Sequence, residues 1–389
     1  MRANVTSLFL VAAAAMGAAG AADVRFNPSA DLAYYSDGNA AVVGTNRQSD
    51  WVTRLGIELE LTADTQSTNF TVRYAPYEEF FQDNSDLNNF AQIVSMNLSS
   101  SFSRRSSISA GLSWTRTERP PLRTERPDAP TTFLPQNRQD LGVLTVSGNI
   151  GVGKRSFIDW GVFAESTRFG SDPNATFEDS DTLGAQAGWG LEIDPTSRAG
   201  ARIEGRNFDF ETQPSADTES LTGFWTKDFS REAHLNVEAG AVRTNSAGDT
   251  STKPRADIRY TRTFRNTSTL ETGIRQDVSA DTGVASGPTA DRGVYASWRP
   301  GDRAERFDAS ITVYYWNRQN AFDAGLFHVQ SFQTAESFAW YPGRHGFAVG
   351  AFHTYYDQSD PAGTGLETSY NSEGVFIRYV YGKGRGARS

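Results

Sequence analysis

Between Trp51 and Leu61 the chain alternates with a period of two. Trp51, Thr53, Leu55, Ile57, Leu59 and Leu61 share one parity; Val52, Arg54, Gly56, Glu58 and Glu60 share the other. Successive side chains of a β-strand point to opposite faces, so this stretch has one apolar and one charged face. Two architectures accept such a strand. A soluble sandwich turns the apolar face inward, whereas a membrane barrel turns it outward to lipid and keeps the charge in its lumen.

The spacing of the turns decides between them. Alternating segments recur to the C-terminus, about 18 of them at roughly 9–13 residues each, the length that crosses a membrane when tilted. Their centres run from Leu32, Ile57, Val72 and Leu98 to Ile311, Gln333, Val349 and Ile377. Tight turns are expected at Asp64-Thr65, Arg104-Arg105, Lys154-Arg155, Asp194-Pro195-Thr196, Ser230-Arg231, Arg265-Asn266, Pro300-Gly301-Asp302 and Pro342-Gly343-Arg344. Between them lie longer polar loops at 37–50, 78–89, 118–138, 170–180, 211–218, 246–253, 279–291, 317–325 and 357–366. Barrels with short periplasmic turns and long external loops alternate in this way; a soluble sandwich has no reason to. The expected fold is an all-β, transmembrane, antiparallel up-and-down barrel.

Composition agrees. An apolar run from Val5 to Gly17, preceded by Arg2 and followed by Ala19-Gly20-Ala21, reads as a signal peptide over 1–21, with a single barrel domain over 22–389. No cysteine is present, so a disulfide framework and thiolate metal sites are excluded. A mean hydropathy of -0.50 is compatible with membrane residence only if alternate residues meet lipid. Net charge of -9 argues against a nucleic-acid partner. Eight tryptophans fit two interfacial girdles: Trp51, Trp114 and Trp316 near the long-loop ends, and Trp160, Trp189, Trp225, Trp298 and Trp340 near the tight turns.

The inward parity carries charge of both signs. Arg54, Glu58, Glu60, Arg73, Arg202, Glu204, Arg206, Arg255, Asp257, Arg259, Glu271, Arg275 and Arg378 are the expected pore lining, with Glu165, Glu192, Glu238 and Asp308 on the same face. Such residues set solute preference, or else form cross-strand pairs that stiffen the interior. Mixed signs suit a neutral or zwitterionic polar solute. The loops 78–89, acidic and aromatic, and 118–138, rich in Pro and Arg, are candidates for constricting the pore or contacting solute. No catalytic site, cofactor or metal is expected. Four scattered histidines form no HExxH pattern, and Gly148 to Lys154 continues with Arg155 where a phosphate loop needs Ser or Thr. A barrel enzyme would draw first on His328 and His353.

Ser372-Glu-Gly374-Val-Phe-Ile377-Arg-Tyr379-Val-Tyr381 resembles the C-terminal signal read by the outer-membrane assembly machinery, here followed by a short basic tail. The stretch Asn27-Pro28-Ser29-x-Asp31-Leu32-x-Tyr34-Tyr35-Ser36-Asp37-x-Asn39, then Asp50-Trp51, Tyr74, Tyr77 and Asn84 to Asn89, resembles the outer-membrane β-barrel porin family associated with exopolysaccharide export loci. That resemblance implies a channel passing a secreted exopolysaccharide across the outer membrane of a Gram-negative envelope. Its partners would be outer-membrane lipid, the assembly machinery, and periplasmic and inner-membrane polysaccharide export components. The alternatives are a general diffusion porin and a closed structural or adhesive barrel acting through its external loops.

Overall fold

The structure is a computed structural model, describing residues 23–38, 49–118, 138–170, 179–211, 213–265, 267–281, 287–301, 307–322, 328–342, 344–359 and 368–382. The expected signal segment 1–21, nearly all of loop 118–138 and the basic tail lie outside the described residues.

One antiparallel sheet contains every strand. Its first segments are β1 (Asp23–Asp37), β2 (Asp50–Asp64), β3 (Thr68–Tyr74), β4 (Tyr77–Phe81), β5 (Asn89–Ser103) and β6 (Ser106–Thr117). β7 (Gln139–Gly151), β8 (Ser156–Phe169), β9 (Ser180–Asp194), β10 (Ser197–Phe210), β11 (Ala216–Ser230), β12 (Ala233–Ser246) and β13 (Asp249–Thr263) follow. The wall is completed by β14 (Thr269–Asp281), β15 (Gly287–Arg299), β16 (Phe307–Asn320), β17 (His328–Trp340), β18 (His345–Ser359) and β19 (Thr368–Tyr381).

β3 and β4 are two halves of one stave. β3 pairs with the lower part of β2, Leu59↔Tyr74 to Asp64↔Asn69, and β4 with its upper part, Val52↔Phe81 to Gly56↔Tyr77. Both continue onto β5. The break falls at Ala75-Pro76, where proline brings no N–H to the ladder, and Ala75 N donating to Ile93 O at 2.8 Å keeps the chain in register. The barrel therefore has 18 staves. It closes where β1 meets β19, Ala30↔Tyr381 through Tyr35↔Phe376, so no sheet edge remains at the junction of first and last strands.

The faces are inverted relative to a soluble protein. Leu183, Ile203, Leu221 and Ile377 point outward and are 61–64% exposed, with Leu55, Ile57, Val294 and Val349 beside them. In water, an apolar surface that encircles the molecule is untenable; in a bilayer it is the solvent-matched face. Strand pairs with strand around the whole wall, as a hydrocarbon environment demands, although the β13–β14 ladder stops at Ala256↔Gln276. The chain is an outer-membrane β-barrel.

All the named strand centres fall inside strands, but the loop pattern is less regular than the sequence reading. The expected loop 78–89 begins as β4 and holds a short 3-10 turn at Ser85–Leu87. The expected loop 246–253 is a tight turn, Ala247 at φ +50° and Gly248 at φ +91°. On the opposite rim, 300–306 is no shorter than several external connections. Trp51, Trp189, Trp225, Trp298 and Trp340 do face outward. Trp316 does not: it shares the parity of Ser310 and Thr312, and at 3% exposure it lies inside the barrel.

Candidate functional site

The inner wall is a set of ion pairs rather than a row of separate charges. At the β1–β2–β19 seam, Asp31 lies between Arg54 at 3.7 Å and Arg378 at 3.4 Å. The Arg54 guanidinium also covers the Tyr77 ring at 4.3 Å. Arg73 donates to Glu58 at 2.7 Å, and Asn27 donates to Glu60 at 3.2 Å. Arg259 approaches Glu271 at 4.0 Å, and Tyr295 OH donates to the same carboxylate at 3.0 Å. Asp257 stands in register between Glu238 and Arg275.

The densest group sits on β10 to β14. Arg202 reaches two strands away in both directions, to Asp159 on β8 at 2.5 Å and to Glu238 on β12 at 2.8 Å. Arg255 bonds Glu204 at 2.8 Å, with Asp277 at 3.5 Å and Glu238 at 3.9 Å. Arg206 pairs with Glu204 on its own strand and with Asp277 of β14 at 3.1 Å, while Arg275 approaches Asp277 at 3.7 Å. Strand spacing of about 4.8 Å puts β10 and β14 nearly 20 Å apart along the wall. A direct Arg206–Asp277 bond thus means that the upper part of β14 is drawn inward, across this arc of the lumen.

The crossing is made by the upper β14–β15 hairpin, and its cause is local. Thr263 N donates to Glu232 O, on the β12 side, and Phe264 N donates to Ser268 O, on the β14 side, each at 2.7 Å. Even-numbered residues of β13 therefore direct their N–H toward β14. The β13–β14 ladder runs from Thr263↔Thr269 only to Ala256↔Gln276. The next even residue is Pro254, which has no N–H to give. Continuing the register would set Pro254 against Val278, but both ladder groups of Val278 are engaged elsewhere. Its carbonyl accepts from Arg206 Nη1 at 3.0 Å, and its N–H donates to Asp277 Oδ1 at 2.9 Å.

Beyond that point β14 parts from β13, while β15 stays laddered to β16 as far as Thr289↔Asn320, with Ala321 N donating to Pro288 O at 3.0 Å. Val278 and Ala290, a cross-strand pair, share the outward parity of Ile274 and Val294, yet each is only 1% exposed. Val278 packs with Val242, on the inner face of β12, and with Ala321. The hairpin's outer face thus lies against the wall's inner face. Ser251 Oγ donates to Ala321 O at 2.8 Å and joins β13 to the end of β16. Inside, Arg318 Nε donates to Asp291 at 2.7 Å, both side chains under a tenth exposed.

A second narrowing lies near the external rim. Asp50 accepts from the backbone of Gln82 and Asp83 at 3.1 Å and of Asn84 at 2.9 Å, which folds the segment after β4 over the opening. Phe81 and Leu87 then pack on Val52 and Tyr35 inside the barrel. Tyr35 OH and Asn89 Nδ2 each donate to Glu79 at 2.8 Å, tying this segment to the wall.

The structure brings the expected lining residues together in these groups and adds partners that the sequence reading missed. Asp31 and Asp159 had a readable parity. Asp291 and Arg318 fell within stretches expected to be loops, and Asp277 is set apart only by the in-folding. Among the described residues no group of three or more His, Asp or Glu side chains is arranged for a metal. His353 shares the outward parity of Ala351 and Tyr355, on the lipid face, and the His328 side chain lies outside what is described.

No family model matches the chain, and no curated protein matches it. Solved structures similar in fold include OprD of Pseudomonas aeruginosa, at 11% identity and TM-score 0.43, covering 91% of this chain and 94% of that one. OpdQ of Pseudomonas aeruginosa matches at 10% identity and TM-score 0.44, covering 92% and 97%. The siderophore receptor PirA of Acinetobacter baumannii matches at 6% identity and TM-score 0.45, covering 92% and 81%. Likeness at this level does not bear on function.

Proposed function

We propose that this barrel is a channel that passes a polar, electrically neutral solute across the outer membrane, with a secreted exopolysaccharide as its cargo. The observation that carries the reading is the pairing of charge on the inner wall. Arg54, Arg73, Arg202, Arg206, Arg255 and Arg378 each lie beside a carboxylate. A lumen lined this way offers many hydrogen-bonding groups and little net field, which disfavours neither sign of ion and serves hydroxyl-rich solutes. Aromatic faces such as Tyr77 beneath Arg54 add apolar patches of the kind that sugar rings use. The step would be passive, without cofactor or covalent chemistry, and periplasmic and inner-membrane export components would supply the polymer.

A specific observation also favours a closed structural barrel: the β14–β15 hairpin and the Phe81–Leu87 segment both occupy the lumen. Single-channel conductance of the refolded protein in a planar bilayer separates the two. Steady conductance that neutral oligosaccharides block supports the polysaccharide channel, and conductance indifferent to sugar identifies a general diffusion porin. A folded but silent barrel favours the structural reading, with function confined to the external loops.

A further inference from the structure

We propose that the periplasmic half of the inner wall on β5 to β7 is the solute-binding surface of the lumen, a charge-free cup for neutral, hydroxyl-rich sugar units. This rests on the channel reading and names where the solute is held. Leu98, Leu144 and Ile150 point outward on these strands, so the alternate residues face the lumen. One inward row crosses the three strands as Ser99↔Ser109↔Ser147, and the next toward the external side is Asn97↔Gly111↔Thr145. No inward side chain of β5, β6 or β7 carries a charge.

Two observations set this arc apart from the rest of the inner wall. The first is access. Asn97, Ser99, Ser109, Thr145 and Ser147 are all exposed, whereas the inward Glu204, Ser220 and Thr222 of β10 and β11 are under a tenth exposed. Higher on the same arc the face closes: Ala91 and Asn89 are buried, and Ile93 and Val143 bring apolar side chains inward. The cup therefore opens toward the periplasm and has an apolar ceiling. The second is free hydrogen-bonding capacity. The arginines and carboxylates of β10 to β14 are engaged with one another. At the periplasmic edge of the cup Ser107 Oγ donates to Asn149 Oδ1 at 3.0 Å. Among the described residues, the five exposed side chains above it have no hydrogen-bond partner. Two of them converge. Thr145 Oγ1 lies 2.9 Å, and Asn97 Oδ1 3.5 Å, from the point that a Cβ at Gly111 would occupy, so a hydroxyl and an amide share the space above that glycine. Hydroxyls and amides both donate and accept, which matches sugar hydroxyls in either role; a guanidinium only donates and a carboxylate only accepts. A few convergent polar groups in a concave wall are what orient such a ligand.

The chain has no cysteine, so a single substitution gives a single reporter thiol. Ser109→Cys and Thr145→Cys place it in the cup, and Asn236→Cys places it on the inner face of β12, in the charged wall. Each variant, refolded in detergent micelles that leave both mouths open and shown to be folded, is labelled with a water-soluble methanethiosulfonate. The rates are compared with and without a neutral glucose hexasaccharide. The sugar should slow labelling at the two cup positions by threefold or more and leave Asn236→Cys unchanged. Equal protection at all three positions overturns the cup, because the solute then has no preferred wall. Reaction without protection overturns it as well, and so does a cup thiol that fails to react, since the arc would then be closed to water. The channel reading is judged separately, by conductance of the unsubstituted barrel in a planar bilayer. Conductance without protection keeps the channel and rejects the cup; protection in a barrel that does not conduct keeps the cup as a binding site and rejects the channel.

Discussion

Ala247 illustrates how little a single residue's chemistry must yield for a hairpin to close. It holds φ at +50° ahead of Gly248 at +91°, the pairing of positive angles that a two-residue turn between twisted strands requires. Glycine occupies its position without cost; alanine pays about 1 kcal/mol for the left-handed region. Ala247→Asn, which keeps the side-chain volume modest and tolerates that region, should raise stability by about 0.5–1 kcal/mol in urea unfolding of the barrel in lipid vesicles. No gain, or a loss, would mean that the turn is not held as described. At this scale the sequence was informative about direction and silent about partners. Parity places Arg202 on the inner face, because side chains alternate along a regular strand. That it spans from Asp159 to Glu238 depends on the curvature of the wall and the register of four other strands, neither of which is local.

At the scale of the strands, a second packing rule joins neighbours: aromatic rings lie over glycines on the adjoining strand. A Cβ at Gly293 would collide with the Trp316 ring, and one at Gly273 with Tyr295. Gly293→Ala should therefore destabilise the barrel by about 1–3 kcal/mol and alter the near-ultraviolet dichroism of Trp316. Adding Trp316→Leu should recover much of the loss, since the two changes share one contact. Additive losses would show that the ring is not seated on that glycine. The strand centres were legible because one face of each had to suit lipid. The upper ends were not. Glu78-Glu79 in β4 and Asn317-Arg318-Gln319-Asn320 in β16 are polar on both faces, so their strands continue with no alternation to reveal them. The in-folded hairpin was illegible for a related reason. Pro254 advertises a missing donor, but which neighbour loses it follows only from the hydrogen-bonding phase of β13.

For the molecule as a whole, the central physical fact is inversion: an apolar exterior, and an interior of paired charges in place of a hydrophobic core. The buried apolar clusters are small and local, such as Val52, Phe81 and Leu87, or Tyr295, Tyr314 and Trp316. Cohesion comes instead from a closed circuit of strand pairing, in which the β13–β14 ladder stops short at Ala256↔Gln276. This accounts for a membrane protein with a mean hydropathy of -0.50. It also leaves two narrowings inside the lumen, at the β14–β15 hairpin and at Phe81 to Leu87.

The most direct test follows the alternating strand β2. Single cysteines at Thr53, Leu55, Ile57 and Leu59, and at Arg54, Gly56, Glu58 and Glu60, would each carry a nitroxide label in the barrel refolded into liposomes. Collisions with dissolved oxygen report lipid, and collisions with a water-soluble nickel chelate report the lumen. Oxygen maxima at Leu55, Ile57 and Leu59, with nickel maxima at the alternate positions, are predicted. The opposite phase, or no period of two, would contradict an inverted barrel.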